Sequence, residues 1–156
     1  MVAGWRKGKR AERELRARAE AGDLDAAITL GSRELLERGD ARAAEAWYRL
    51  AAEVGNIGGI TGLTAALQEQ GDHDGAMEWA RRGADTGMSV GLFNLGVMLE
   101  LRGDMAGAEL WWRRAADNGL AEAALRLAAL ERGRGNEEAA RDWESRAALL
   151  GAVHKR

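Results

Sequence analysis

Leucines and small residues recur along this chain at a spacing of about 32 residues, and the recurrence predicts its elements. Leu30, Leu63, Leu95 and Leu127 form one column, and Leu67 and Leu99 stand four residues further on. That i, i+4 spacing marks one buried helical stripe, which Glu131 interrupts in the fourth copy. Repeat one has one additional residue between Leu30 and Gly39. Counting forward from Leu30 puts Glu34 in the second column, and counting back from Gly39 puts Leu35 there. An apolar column favours Leu35, with the additional residue absorbed by a single wide helical turn between Gly31 and Leu35. Gly31, Thr64, Gly96 and Ala128 follow the first leucines as a column of small residues.

The second half of each unit has its own pattern. Trp47, Trp79, Trp111 and Trp143 are each preceded at three residues by Ala44, Ala76, Ala108 or Ala140. Ala51, Gly83, Ala115 and Ala147 follow at four residues, and Ala52, Ala84, Ala116 and Ala148 at five. Small residues flanking each ring along one face predict close packing, with each tryptophan in the core between its own helix pair and the next. Tyr48 and Trp112, one residue further on, have no such clear assignment. An aromatic ladder for sugars or bases is the alternative, and it requires exposed rings.

Glycines punctuate the pattern in two series. Gly39, Gly71, Gly103 and Gly135 alternate with Gly22, Gly55, Gly87, Gly119 and Gly151, which cuts the chain into helix-length pieces. Asp23, Asp40, Asn56, Asp72, Asp104 and Asn136 each follow a glycine, as residues that cap the next helix do. The predicted helices are 24–38, 41–54, 57–70, 73–86, 89–102, 105–118, 121–133 and 137–150, with an earlier one around 9–21. ELRARAEAG, ending at Gly22, matches WYRLAAEVG, ending at Gly55, at Arg16 and Arg49, Ala19 and Ala52, and Glu20 and Glu53. It reads as the worn second helix of a missing repeat, now a cap.

Composition narrows the function classes. With no cysteine, a disulfide framework, a thiolate metal site and a cysteine nucleophile are excluded. The basic N-terminus is not followed by an apolar run of signal-peptide length, and no segment has the length and apolarity of a membrane span, so a cytoplasmic location is expected. The formal net charge of −2 argues against a chain devoted to polyanions. Residues 1–22 are nonetheless basic, and the segment Arg6 to Arg18 is the candidate for nucleic-acid contact. Glu12 with Arg16 and Glu14 with Arg18 have the spacing of helical ion pairs, which fits a solvated helix.

The pattern Leu-Gly in the first helix, Gly-Asp before the second, then Ala-x-x-Trp-Tyr/Trp-x-x-Ala-Ala-x-x-Gly, resembles the Sel-one-like repeats, relatives of tetratricopeptide repeats. Leu30 to Gly55 and Leu95 to Gly119 carry it most clearly, and the resemblance spans 22–151. Thr64 and Ala128 depart from the helix A glycine, and Ala80 and Glu144 from the second aromatic. The resemblance implies an all-α, right-handed α-solenoid of four helix-turn-helix repeats (22–54, 55–86, 87–118, 119–151). A basic capping helix (1–21) precedes the repeats and a basic tail (152–156) follows them. It also implies a non-catalytic adaptor or scaffold that needs no cofactor or metal and binds a protein or peptide partner.

Catalytic candidates are few. His73, between Asp72 and Asp74, aligns with Ala41, Met105 and Glu137, so its column requires no particular chemistry; His154 lies in the tail. GNIGGITG, Gly55 to Gly62, follows a helix and lacks the Lys-Ser/Thr of a phosphate loop. In solenoids of this kind the first helix of each pair lines the concave surface. The residues there that the leucine stripe does not use include Ile28, Leu36, Glu37, Glu69, Phe93, Val97, Glu100, Leu125 and Arg132. Phe93, Val97 and Leu125 are expected to form an apolar patch, edged by the acids Glu37, Glu69 and Glu100. Such a groove suits a peptide or helix with hydrophobic and basic residues. Self-assembly into a homodimer through the solenoid ends, at Trp143, Ala147, Leu149 and Leu150, is the second reading.

Overall fold

The computed structural model describes the backbone of residues 2–153 and the side chains of residues 9–151. Trp5 and Arg6 lie on the first helix with side chains outside that range, and His154 lies outside the described residues. Nine α-helices and no strand occur among the described residues. They are α1 (Val2–Glu20), α2 (Leu24–Ser32), α3 (Ala41–Ala52), α4 (Ile57–Glu69), α5 (His73–Asp85), α6 (Ser89–Leu101), α7 (Met105–Asp117), α8 (Ala121–Gly133) and α9 (Glu137–Val153). The chain divides into two compact units, Met1–Trp79 and Ala80–Arg156, with the boundary inside α5.

The predicted punctuation is present except at Asn136, whose side chain donates to Glu131 instead of capping α9. Asp40 shows how a junction works: Gly39 turns the chain at φ 68°, and the Asp40 carboxylate accepts from Ala43 N at 2.9 Å. Asp23, Asn56, Asp72 and Asp104 cap α2, α4, α5 and α7 in the same way. Every junction glycine of the two series has positive φ except Gly151, which lies inside α9 rather than ending it.

The additional residue of repeat one produces a π-helical turn, Arg33–Glu37, in which Arg38 N donates to Arg33 O at 3.2 Å. The wide turn only overlaps the segment 31–35 where the spacing placed it, because the additional residue falls after Glu34 and the register is the other one. Asp40 N donates to Glu34 O, as Asp72 N does to Leu67 O, Asp104 N to Leu99 O and Asn136 N to Glu131 O. Glu34, not Leu35, therefore occupies the second column, and it is buried. A carboxylate is tolerated there because Arg38 and Arg16 pair with it. The buried Glu131 is satisfied likewise, by Arg134 at 2.9 Å and Asn136 Nδ2 at 2.8 Å.

Burial also reorders the aromatic columns. The deep position is the one after the conspicuous tryptophan: Tyr48 is 5% exposed and Trp112 1%, whereas Trp47, Trp111 and Trp143 are half-buried. The cause is the small column of helix A. A Cβ on Gly31 would lie 2.8 Å from the Tyr48 ring, one on Gly62 2.2 Å from it, and one on Gly96 2.5 Å from Trp112. Where the second aromatic is replaced, at Ala80 and Glu144, the helix A glycine is replaced too, by Thr64 and Ala128. Trp79 is the buried member of its column, in the repeat where Ala80 is small. Trp47 packs on the cluster of Ala19, Ala26, Ala27 and Leu30. Arg114 lies over Trp111 at 4.8 Å, and Arg113 and Arg146 over Trp143 at 5.6 and 5.2 Å, so these half-buried faces already hold cations in place of a ladder ligand.

The first helix does the work of a second-of-pair helix. Glu12 and Arg16 of α1 stand where α3 has Glu45 and Arg49 and α7 has Glu109 and Arg113. The residue just past the next first-of-pair helix bridges back to each glutamate: Arg38 to Glu12 at 2.8 Å, Gln70 to Glu45 at 2.8 Å and Arg134 to Glu109 at 2.7 Å. All three carboxyls are held below the ordinary carboxylate range. The leading cause is the Arg38 hydrogen bond for Glu12, Arg49 followed by Gln70 for Glu45, and Arg134 followed by Arg113 for Glu109. On α5 the buried Met77 takes this column's place.

Candidate functional site

The helix A surfaces of α2, α4, α6 and α8 carry the predicted partner residues, and each unit presents a different chemistry. In the first unit Ile28 is half-buried, its Cδ1 3.2 Å from where a Cβ on Gly58 would stand, and so it joins α2 to α4. The π-turn leaves Leu36 80% exposed. Glu37 and Glu69 are exposed and make no ion pair among the described residues. This face is acidic with one apolar side chain on it.

In the second unit the face is apolar, and its charges Glu100 and Arg132 are paired. Phe93 and Val97 of α6 are half-buried, while Leu125 of α8 is 53% exposed and Leu101 64%. Glu100 accepts from Arg126 NH1 at 3.3 Å, an ion pair from α6 to α8. The expected acidic edge therefore does not continue through Glu100. Arg132 donates to Glu144 at 2.5 Å and lies 3.9 Å from Glu137, so its charge is engaged by α9.

A cavity of about 410 Å³ opens between α6, α7 and α8. Trp112, Met105 and Leu130 supply its apolar lining, and Glu100, Arg126 and Arg134 its charged groups. Its origin lies in two small residues of α8. Ala129 stands where α6 has Val97, and Gly133 where α6 has Leu101 and α4 has Glu69. A Cβ on Gly133 would meet nothing within 4 Å. Arg126 reaches 5.9 Å from the Trp112 ring, and Trp112 Nε1 is buried without a hydrogen-bond partner. The helix A register places Ala129 on this face but not Trp112 or Gly133, and the sequence signal for the cavity is the exchange of Val97 for alanine and Leu101 for glycine one repeat later.

The C-terminal end is polar. On α3 and α7 the positions of Tyr48 and Trp112, Glu45 and Glu109, and Arg49 and Arg113 face or bridge to the next repeat; on α9 they are Glu144, Arg141 and Ser145. Trp143 is roofed by arginines, Ala147 is buried and Leu150 half-buried, which leaves Leu149, 70% exposed, as the large apolar side chain uncovered there. His73 begins α5 as an exposed residue, and among the described residues no group of three His, Cys, Asp or Glu has the geometry to hold a metal. No helix among them is long and apolar enough to cross a membrane.

No protein-family model and no curated protein sequence matches the chain. Solved structures do match. MamA aligns at TM-score 0.64 and 14% identity over 93% of this chain and 89% of that one. The 41-end form of MamA from Desulfovibrio magneticus RS-1 aligns at 0.64 and 15% over 97% and 91%. The protein c5321, a protective antigen of uropathogenic Escherichia coli strains that displays an SLR fold, aligns at 0.65 and 24% over 90% of this chain. The chain spans 39% of the length of that antigen. Identities this low speak to architecture alone, and with the phased helix pairs they show that this chain has the α-solenoid fold of the Sel-one-like and tetratricopeptide-like repeat proteins.

Proposed function

We propose that the chain is a non-catalytic scaffold that binds a peptide or helix segment of a partner protein on its helix A faces. The observation that carries this reading is the uncovered apolar surface of the second unit: Leu101 and Leu125 are more than half exposed, beside Phe93 and Val97 and an open cavity. Nothing within the unit gains from leaving those leucines in water, whereas a partner that covers them gains the usual apolar burial term. The first unit adds the exposed Leu36 and the carboxylates Glu37 and Glu69, which make no ion pair among the described residues, a face that suits a basic stretch.

Crosslinking capture from the native cell, with wild type, Leu125→Glu and Leu36→Glu compared, tests the proposal. Both positions are exposed, so each change alters stability by no more than about 0.5 kcal/mol. Loss of the captured partner at an unchanged melting temperature is expected. Undiminished capture by both variants would remove the helix A faces from the interaction.

A further inference from the structure

We propose that the cavity between α6, α7 and α8 is an anchor pocket for one large apolar side chain of an acidic peptide segment, with Arg126 receiving the carboxylate beside that anchor. The inference rests on the scaffold reading above and assigns its ligand chemistry in the second unit. At about 410 Å³ the cavity is near the lower end of ligand-pocket sizes, room for one anchor residue and its immediate neighbours. The half-buried Met105 and Leu130 offer that anchor an apolar lining over the buried Trp112 ring.

The charges select the neighbours. Arg134 is engaged by two carboxylates, donating to Glu109 at 2.7 Å and to Glu131 at 2.9 Å. Arg126 has one partner, Glu100, at 3.3 Å, and is about half exposed. Of the two cavity arginines, Arg126 therefore has less of its charge already met by carboxylates and is the better placed to take a further one. A lysine or arginine on the ligand would instead face two guanidinium groups and would have to draw Glu100 from Arg126. The acidic first unit and this pocket thus prefer opposite charges, and the segment that reaches the pocket is the acidic one.

The test uses the full chain and short fluorescein-labelled peptides read by fluorescence anisotropy: one leucine flanked by glutamates, the same leucine flanked by lysines, and alanine flanked by glutamates. The glutamate–leucine peptide should bind about fivefold more tightly than the lysine peptide, the effect of a half-exposed ion pair, and about tenfold more tightly than the alanine peptide. Arg126→Glu should reverse the charge preference. Glu100→Gln, which releases Arg126, should tighten the glutamate–leucine peptide about twofold. Gly133→Leu and Ala129→Leu, which narrow the mouth from the exposed side of α8, should each weaken it about tenfold while the protein melts no lower. Equal binding of the three peptides, binding to none, or binding unchanged in both narrowed variants would overturn the assignment. Unchanged peptide binding in the narrowed variants, together with partner capture lost in Leu125→Glu, would overturn the pocket and leave the scaffold reading intact. Charge-selective binding blocked by Gly133→Leu, with capture indifferent to Leu125→Glu, would support the pocket and count against the wider face.

Discussion

Two glycine-to-alanine substitutions in the second unit should change stability in opposite directions. Gly91, in α6, is buried, and a Cβ there would lie 2.0 Å from Gly83 O and 2.5 Å from Gly83 C. A carbon needs about 3.3 Å from a carbonyl oxygen. The helix backbones at this crossing must therefore part by more than an ångström, and a backbone carbonyl, unlike the tip of a long side chain, has no alternative rotamer. Overpacking of this kind costs about 1–3 kcal/mol, and the upper end applies when backbone is struck. Against it stands the gain in helix propensity, about 1 kcal/mol for alanine over glycine. The steric cost wins, by about 2 kcal/mol. At Gly133 a Cβ meets nothing within 4 Å, so the propensity gain stands alone, at up to about 1 kcal/mol.

Thermal unfolding followed by helical circular dichroism reads both changes. With about 2–4 °C per kcal/mol for a chain of this size, Gly91→Ala should melt about 4–8 °C below wild type and Gly133→Ala at or slightly above it. A Gly91→Ala protein as stable as wild type would refute the close helix crossing. A Gly133→Ala protein destabilised as much as Gly91→Ala would refute the open space beside α8.

Three further outcomes follow from other parts of the chain. Trp112→Ala should cost about 3–5 kcal/mol in urea unfolding, and Trp111→Ala clearly less, because the first ring is buried against Gly96 and the second is half-exposed under Arg114; equal losses would contradict the assignment of the deep column. Deleting Leu36, the exposed residue of the π-turn, should restore the 32-residue spacing and leave the melting temperature within a few degrees of wild type, at a cost of no more than about 1 kcal/mol. Glu45 and Glu109 have depressed carboxyl pKa values, so their contribution is complete above the ordinary carboxylate range and is lost as pH falls through the depressed folded values. The double variant Glu45→Gln, Glu109→Gln should accordingly show a shallower fall of stability below about pH 4, and an unchanged acid slope would show that these pairs contribute nothing.

The sequence made period legible more readily than depth. Glycine and Asx residues mark helix ends because their chemistry is local: a positive φ and a side-chain oxygen near three free amides. Burial is not local. Trp47, Trp111 and Trp143 drew attention as the invariant column, yet the ring that penetrates furthest is the variable one, Tyr48 or Trp112, admitted by a glycine on another helix. The pairing could be read from the exceptions, since Thr64 accompanies Ala80 and Ala128 accompanies Glu144. Likewise an apolar column argued for Leu35, and Glu34 won because Arg16 and Arg38 stand close enough to compensate its charge, which spacing does not disclose.

The same substitutions bear on where a partner meets this protein. The outermost repeats have glutamate, Glu34 and Glu131, in the column where the inner repeats have Leu67 and Leu99. Each glutamate is tied to arginines, Glu34 to Arg16 and Arg38 and Glu131 to Arg134. On α9 the residues that would face a fifth repeat are Arg141, Glu144 and Ser145 in place of a deep aromatic and its glutamate–arginine neighbours. Stacking another repeat there would desolvate Glu144 and its bond to Arg132. An end-on contact there would thus carry a charge cost beside the exposed Leu149, whereas Leu101 and Leu125 of the helix A face are uncovered apolar side chains. The asymmetry between a charged end and an uncovered apolar flank is the physical reason to seek the partner on α6 and α8.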